Sequence, residues 1–276
     1  MNKHKGSLDT YISTEDSSNK FKEYPFAIYN VAFFFLYSLA NSAYLVTFAP
    51  IVDLTAETYD TSMSHVYLAY SLTAVGYLLL ALPTNKSIEN KGVKITIQMS
   101  VGFLIVGLFL RLLLNKWGFI FALIGNLVAS LGRACSTNAC TKVSVKWFLP
   151  KNRPLISSIL LLGAPLGTIL GYQITTFFIS DPLILMDKEK RKSEFFSLML
   201  WEAVILIVMI IPAALFYRDD PPTPTSAASG KKKVETEAKD MILKLLHNNN
   251  YLFIWFYVSV QLGIYALISA ACASII

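Results

Sequence analysis

Seven apolar runs, each long enough to cross a lipid bilayer as a helix, most constrain what this chain can fold into. They cover residues 26–51, 65–84, 93–114, 117–146, 154–180, 195–217 and 250–276. An α-helix rises about 1.5 Å per residue, so runs of this length can span a hydrocarbon core of roughly 30 Å. Because lipid cannot hydrogen-bond to backbone groups, helices are the expected structure of every run. The sequence therefore predicts an all-α integral membrane protein.

The composition agrees with this fold class. The chain is 54% hydrophobic and only 15% charged, which is far from an average soluble domain. The formal charge of +6 indicates basic residues at the cytoplasmic face of a membrane rather than affinity for nucleic acid. The cysteines Cys135, Cys140 and Cys272 all lie inside apolar runs, so we do not expect a disulfide framework.

The distribution of basic residues predicts the orientation in the membrane. Most of the 24 Lys and Arg residues lie in the N-terminal tail and in the segments that would share its side of the membrane. A smaller group, which includes Arg111, Lys188 and Lys192, would lie on the other side. Cytoplasmic loops are enriched in Lys and Arg. We therefore expect a multi-pass protein with a cytoplasmic N-terminus, in the plasma membrane or an organelle membrane.

The break between the sixth and seventh runs divides the chain. Residues 218–249 are first rich in Pro, Ser and Gly and then basic, which is typical of a flexible cytoplasmic linker. Residues 234–245 fit either an amphipathic helix on the membrane surface or a solvated tether. The predicted domains are a disordered cytoplasmic tail (1–25), a six-helix bundle (26–217), the linker (218–249) and the first helix of an incomplete second bundle (250–276).

Polar side chains within the fourth run are candidate site residues. Asn126, Ser130, Arg133 and Thr137 recur at helical spacing and share one face. A charge in the middle of a membrane is costly, so it faces protein or a water-filled space rather than lipid. We expect Arg133 and Asn126 to face a solute pathway, with pairing of Arg133 to helix-end carbonyls as the alternative. An arginine there would favour an anionic or zwitterionic solute.

Further polar and aromatic positions lie in other runs. Asn41 and Tyr44 share a face of the first run, and Tyr265 lies in the seventh; all three are candidate solute contacts, although aromatic stripes also serve packing. Glu202 is the only acid within a run. Its expected depth differs from that of Arg133, so we expect no direct salt bridge and instead either a functional role or snorkelling to the interface.

Two further motifs bear on helix packing and on the ends of the helices. Gly163, Gly167 and Gly171 are spaced four residues apart in the fifth run, which predicts close approach of another helix. This face could serve packing alone or form a moving interface. The loop after the second run contains Glu89 and then Gly92, which predicts a compact capped turn in which the glycine takes the left-handed conformation that ends a helix.

Several segments together carry a family resemblance. The loop that contains Glu89 and Gly92 resembles the signature of the major facilitator superfamily between its second and third helices. The resemblance extends to the branch of the feline leukaemia virus subgroup C receptor-related transporters. The matching segments are Tyr37-Ser38-Leu39-Ala40-Asn41, Phe48-Ala49-Pro50-Ile51-Val52-Asp53, Trp147-Phe148, Ser158-Ile159 with the glycines of the fifth run, and Pro221-Pro222-Thr223-Pro224.

The resemblance implies a fold and a mechanism. Members have twelve helices in two six-helix halves, with the substrate held between the halves and alternating access by rocking. This chain would then hold the first six-helix bundle and one further helix. Some positions depart from the branch: its helix-one tryptophan falls at Leu45, its helix-five glutamine at Pro165, and a neutral glutamine at Arg133. Tyr265 lies near its helix-seven aromatic residue. These departures argue against copying recognition of choline-like cations to this chain.

Other functional classes find little support in the sequence. His4, His65 and His247 are scattered, without metal-ligand spacing or a nucleophile–base pair. There is no phosphate-binding glycine loop. We therefore expect no enzyme, cofactor or metal site, but a secondary active or facilitative transporter of a small organic solute (amine, zwitterion or anion). Its partners would be the lipid bilayer and a coupling ion. A seven-helix receptor and a transport-inactive subunit are the alternatives.

Overall fold

The computed structural model describes residues 23–179, 187–223, 225 and 244–273, with side chains described for all of these except 262 and 265–273. This part of the chain contains helices and no strand, as expected of an all-α protein. Six of its helical spans are long and apolar enough to cross a membrane, and we number them in chain order. They are Phe26–Thr58, Met63–Asn90, Val93–Leu112, Ile120–Trp147, Arg153–Phe178 and Lys188–Phe216.

Three spans extend beyond the apolar runs that predicted them. The first continues from its main helix, Phe26–Val46, through a 3-10 turn, Ala49–Ile51, into a short helix, Val52–Thr58. The second starts at a Ser62 cap and runs to Asn90. The sixth begins seven residues early, at Lys188, where the Asp187 side chain accepts a hydrogen bond from the backbone of Glu189. Hydropathy locates the lipid-embedded part of a helix, whereas capping and ion pairs decide where it begins.

Ion pairs hold the polar end of the sixth span against the first. Lys188 binds Asp60 at 2.6 Å, and Arg191 binds Glu57 at 2.9 Å. The neighbouring Lys188 lowers the pKa of the Asp60 carboxyl. Burial raises the pKa of Tyr59, whose hydroxyl donates a hydrogen bond to Asn115. We call this the Asp60 end of the bundle.

The fifth span packs against the first along a row of glycines. A Cβ at Gly163 would lie 3.0 Å from Ser38 Cβ, and one at Gly171 would lie 2.7 Å from the Ala43 carbonyl oxygen. A Cβ at Gly167 would collide with the backbone of Leu39. The expected close helix approach is present, and it serves packing within the six-span bundle. Movement of this interface stays a prediction.

The fourth span is divided into three helices, Ile120–Leu131, Arg133–Asn138 and Cys140–Trp147. At the first break, Gly132 lies so close to the third span that an added Cβ would be 2.8 Å from the Ser100 carbonyl oxygen. The Tyr37 hydroxyl donates a hydrogen bond of 2.9 Å to the Gly132 carbonyl oxygen. This bond satisfies a buried backbone group next to Arg133.

The opposite end of the bundle is closed by the first residues after the sixth span. Gly92 has φ +91°, as expected, but its ψ of 171° is extended rather than left-handed helical. Only glycine adopts this backbone conformation readily. Asp219 Oδ1 accepts hydrogen bonds from the backbone N–H groups of Val93 (2.7 Å) and Lys94 (3.2 Å), and so caps the third span. We call this the Asp219 end.

The linker prediction therefore needs a correction at its start. The Asn30 side chain donates to the Arg218 carbonyl and accepts from the Arg218 N–H, while Asp220 binds Lys146 at 2.7 Å. Arg218 to Asp220 are thus attached to the first, third and fourth spans and do not begin a flexible segment. The predicted amphipathic helix at 234–245 lies almost wholly outside the described residues, as does the N-terminal tail at 1–22.

The chain divides into two compact units, residues 1–230 and 231–276. The first unit contains the six spans. In the second, the seventh apolar run forms the helix Asn249–Ala273, close to the predicted bounds.

Candidate functional site

The buried Arg111 forms the centre of a group of polar interactions in the bundle. The distribution of basic residues had predicted that it lies outside the membrane. Arg111, in the last turn of the third span, is 1% exposed and forms an ion pair of 2.9 Å with Glu202 of the sixth span. Its guanidinium also donates to the Thr47 hydroxyl (3.0 Å), the Tyr44 carbonyl (2.6 Å) and Asn126 Oδ1 (2.7 Å). We call these five residues the Arg111 network.

The network is connected to all six spans. Thr47 donates its hydroxyl proton to the second oxygen of Glu202, and its carbonyl accepts a hydrogen bond from Thr175 of the fifth span. Asn126 donates to the carbonyl of Ala69 in the second span at 3.3 Å. A buried ion pair is stable only when most of its remaining donors and acceptors are satisfied. These partners satisfy both terminal nitrogens of the Arg111 guanidinium, whereas its Nε and the Tyr44 hydroxyl are buried without a hydrogen-bond partner among the described residues.

Aromatic rings and glycines shape the space around the guanidinium. The Arg111 Cζ atom lies 3.7 Å from the centre of the Tyr44 ring and 4.8 Å from that of Phe48, which is cation–π geometry. A Cβ at Gly107 would be 2.7 Å from the Gly125 carbonyl oxygen and 3.1 Å from the Tyr44 hydroxyl. The two glycines therefore leave room for the tyrosine between the third and fourth spans.

This geometry corrects two interpretations. Arg111 was counted among the basic residues outside the helix cores, although it lies within the third apolar run (93–114). Glu202 does not snorkel: it is 3% exposed and bound to Arg111 and Thr47. The expectation that Glu202 forms no salt bridge with Arg133 is confirmed, since its partner is Arg111. The sequence contained a signal for this pair, because Arg111 and Glu202 are opposite charges within two apolar runs.

Two of the predicted solute contacts belong to the Arg111 network. Asn126 is 1% exposed, and its amide oxygen and nitrogen are used by Arg111 and Ala69. Tyr44 is fully buried, with its ring on the guanidinium. In this structure, both residues stabilise a buried charge, and their contact with a solute stays a prediction.

Arg133 has a different environment. It lies at the middle of the 28-residue fourth span and is half-buried. Its guanidinium donates to the Thr73 hydroxyl of the second span at 3.3 Å. Within the part of the chain that the structure describes, Arg133 has no ion pair. An unneutralised charge at this depth costs about 2.5–3.5 kcal/mol on insertion scales, so its position calls for a polar surrounding.

Polar side chains continue from Arg133 along one exposed face of the fourth span. Thr137 and Thr141 follow at four-residue spacing, and both are exposed in the six-span unit. We call Arg133, Thr137 and Thr141 the fourth-span stripe. Beside it, the Tyr77 hydroxyl of the second span donates to Asn138 Oδ1 at 3.2 Å. The stripe and its neighbours form a polar surface that runs from the middle of the fourth span toward its Trp147 end, where a lipid-facing helix would carry apolar side chains.

The remaining predicted residues are found in three situations. Asn41 is fully buried in the first span, and its amide oxygen and nitrogen have no hydrogen-bond partner among the described residues. A buried amide without partners costs about 1–3 kcal/mol, so Asn41 keeps its place as a candidate contact. Tyr265 lies in the helix Asn249–Ala273, but its side chain is outside the described set. Glu89 is exposed near the end of the second span.

Comparison with known proteins agrees with this architecture. Six helices that are long and apolar enough to cross a membrane define a multi-pass integral membrane protein. The family model described as Major Facilitator Superfamily matches residues 31–275, and the chain belongs to this family. Its similarity to the feline leukaemia virus subgroup C receptor-related branch is also shown by curated relatives.

Two such relatives are the "Choline/ethanolamine transporter FLVCR1" of Mus musculus and of Mus terricolor. Each is 23% identical over 140 residues, which covers 50% of this chain and 25% of the relative. The chain therefore matches about a quarter of the length of these relatives.

Proposed function

We propose that this protein is a secondary active or facilitative transporter of a small organic solute that works by alternating access. Membership of the Major Facilitator Superfamily carries the proposal, and the relatives named as transporters support it over an enzymatic function. Two groups of polar side chains in the bundle carry the proposal further: the buried Arg111 network and the exposed fourth-span stripe.

The two surfaces suit different roles in such a transporter. The Arg111 network is buried and connected to every span, so it holds the six helices as one rigid body during rocking. The fourth-span stripe is exposed and polar, so it lines the solute pathway. Arg133 is then the principal solute contact, and Asn41, whose amide has no described partner, is a second.

The basic Asp219 end is the cytoplasmic end in this proposal. Lys91, Lys94, Lys146 and Lys151 cluster there, and cytoplasmic segments are enriched in such residues. Glycosylation mapping provides the test, because Asn85-Lys86-Ser87 is an acceptor sequence at this end. Sugar attached to Asn85 in microsomes would place this end in the lumen and contradict the orientation.

The transport proposal is tested by reconstituting the full-length protein in proteoliposomes. Uptake of a panel of labelled amines, zwitterions and anions is compared with that of protein-free vesicles. Saturable uptake of at least one solute, with counterflow when the vesicles are preloaded with it, is the expected result. Absence of uptake and counterflow across the panel would instead favour a transport-inactive subunit or a receptor.

A further inference from the structure

We propose that Arg133 and Thr73 form the binding site for an oxyanion group of the solute, a carboxylate or a phosphate. This inference rests on the proposed function, because it names the chemical class of the solute at that site. It differs from the printed specificity of the relatives, whose names refer to choline and ethanolamine.

The first argument is the distribution of negative charge. Among the described residues, Glu202 is the one buried acid of the spans, and both of its oxygens are already bound by Arg111 and Thr47. The other described acids lie near the ends of the spans or beyond them, where several form ion pairs with basic residues. The positive charge of Arg133 at mid-span is therefore not neutralised by the described bundle.

The second argument is the unused hydrogen-bonding capacity of the site. A guanidinium carries five N–H donors, and one of those of Arg133 is used, by Thr73. That bond fixes the orientation of the arginine, because Thr73 is buried and its β-branched side chain has few rotamers. The remaining donors suit the paired oxygens of a carboxylate or phosphate, which guanidinium binds in a two-point geometry.

The third argument is the surrounding surface. Thr137 and Thr141 are exposed on the same face, and their hydroxyls can donate to further oxygens of the solute. Across from them, Tyr77 donates to Asn138, whose amide nitrogen in turn bonds to the Ala81 carbonyl. No described carboxylate lines this surface to attract an ammonium group. The surface therefore favours anions and the anionic end of zwitterions.

The test is ligand-induced thermal stabilisation of the full-length protein purified in detergent. Succinate and inorganic phosphate serve as oxyanion probes and choline as the cation probe, with ionic strength held constant by NaCl. A thiol-reactive dye reports unfolding, since Cys135 and Cys140 are buried free thiols in the folded bundle. The variants are Arg133→Gln, Arg133→Lys and Thr73→Val, with Lys116→Gln as a matched control that removes an exposed charge outside the spans.

We expect at least one oxyanion to raise the midpoint temperature of unfolding of the wild type and of Lys116→Gln. Arg133→Gln should weaken its apparent affinity by about 10- to 100-fold, since charge-assisted hydrogen bonds are lost. Arg133→Lys should give an intermediate loss, because the charge remains but the planar fork does not. Thr73→Val should weaken the apparent affinity for the oxyanion by about 2- to 10-fold.

Two results would overturn the inference: no oxyanion stabilises the wild type, or one stabilises Arg133→Gln as strongly. Phosphatidylglycerol is tested as an additional probe: if it stabilises the wild type but not Arg133→Gln, while succinate and phosphate have no effect, the oxyanion belongs to a lipid headgroup and its assignment to a solute is overturned. The uptake assay is scored separately. Choline uptake that is unchanged in Arg133→Gln, without oxyanion binding, would leave the transporter proposal intact and reject this site. Oxyanion binding without uptake of any solute would support this site and contradict the transporter proposal.

Discussion

Arg111 and Arg133 both lie within apolar spans of this protein, but their surroundings differ. Arg111 is almost completely buried and bound to an acid, a hydroxyl, an amide and a carbonyl. Arg133 is half-buried and has Thr73 as its hydrogen-bond partner among the described residues. The first charge is neutralised inside the protein, and the second leaves most of its donors to the polar surface beside it.

The difference shows that the cost of a charge in a membrane can be met in two ways. An internal acid removes the charge from the reach of solvent and solute and connects helices to each other. A polar surface leaves the charge accessible to solvent and solute. Stability alone would not favour such an exposed charge inside a membrane. We therefore assign rigidity to the Arg111 network and recognition to Arg133.

The largest effect is expected from breaking the buried pair. Glu202→Gln or Arg111→Met leaves one charge without its partner and should destabilise the bundle by about 3–5 kcal/mol. The measurement is the unfolding midpoint from the thiol-reactivity assay. The double variant Arg111→Met/Glu202→Leu should lose less than either single variant. If the losses of stability of the two single variants add up in the double variant, the two side chains are not coupled. Arg111 would then not differ from Arg133 in having its charge neutralised by an acid.

A smaller effect is expected from filling the space beside the Arg111 network. A methyl group at Gly107 would lie 2.7 Å from Ala129 Cβ and would press on the Tyr44 hydroxyl. Gly107→Ala should therefore cost about 1–3 kcal/mol by overpacking. Gly102→Ala, on the same helix with nothing within 4 Å, is the control and should be neutral or stabilising by up to about 1 kcal/mol. Equal effects at both sites would mean that the network is loosely packed.

Removal of the second arginine should affect stability still less. Arg133→Gln loses one hydrogen bond to Thr73 and a charge without a described partner, so the change should stay below about 1 kcal/mol. The same unfolding assay in the absence of added ligand provides the measurement. A loss as large as that of Arg111→Met would show that Arg133 is neutralised by an acid outside the described residues, and would break the comparison.

The smallest effect concerns an ion pair in water. Lys188 lowers the pKa of Asp60, so this pair stabilises the folded state above the ordinary pKa of aspartate. Its contribution is lost as the pH falls through the lowered value. The difference in midpoint between wild type and Asp60→Asn should shrink from pH 7 to pH 3 and also in 1 M NaCl. The effect of Glu202→Gln should not respond to salt, because that pair is dry; a strong salt response there would contradict its burial.

The spans, the close glycine contacts and the capped turn at Gly92 could be predicted because each depends on local patterns. Hydropathy identifies a membrane span, four-residue glycine spacing identifies a thin helix face, and a glycine after a polar loop identifies a turn. The early start of the sixth span could not be predicted in this way, since it depends on Asp187, Asp60 and Glu57 as partners. The same holds for Asp219, which lies 126 residues from the N–H that it caps.

The sequence by itself determined that this chain crosses a membrane repeatedly, because burial in lipid imposes long apolar helices whose pattern is visible in one dimension. Its resemblance to the major facilitator proteins came from short motifs such as the loop with Glu89 and Gly92. The sequence also marked Arg133 as a charge that needs an explanation. Only the tertiary structure decided which arginine receives the buried acid, because Glu202 is 91 residues from Arg111 and the pairing depends on how the third and sixth spans are rotated against the first.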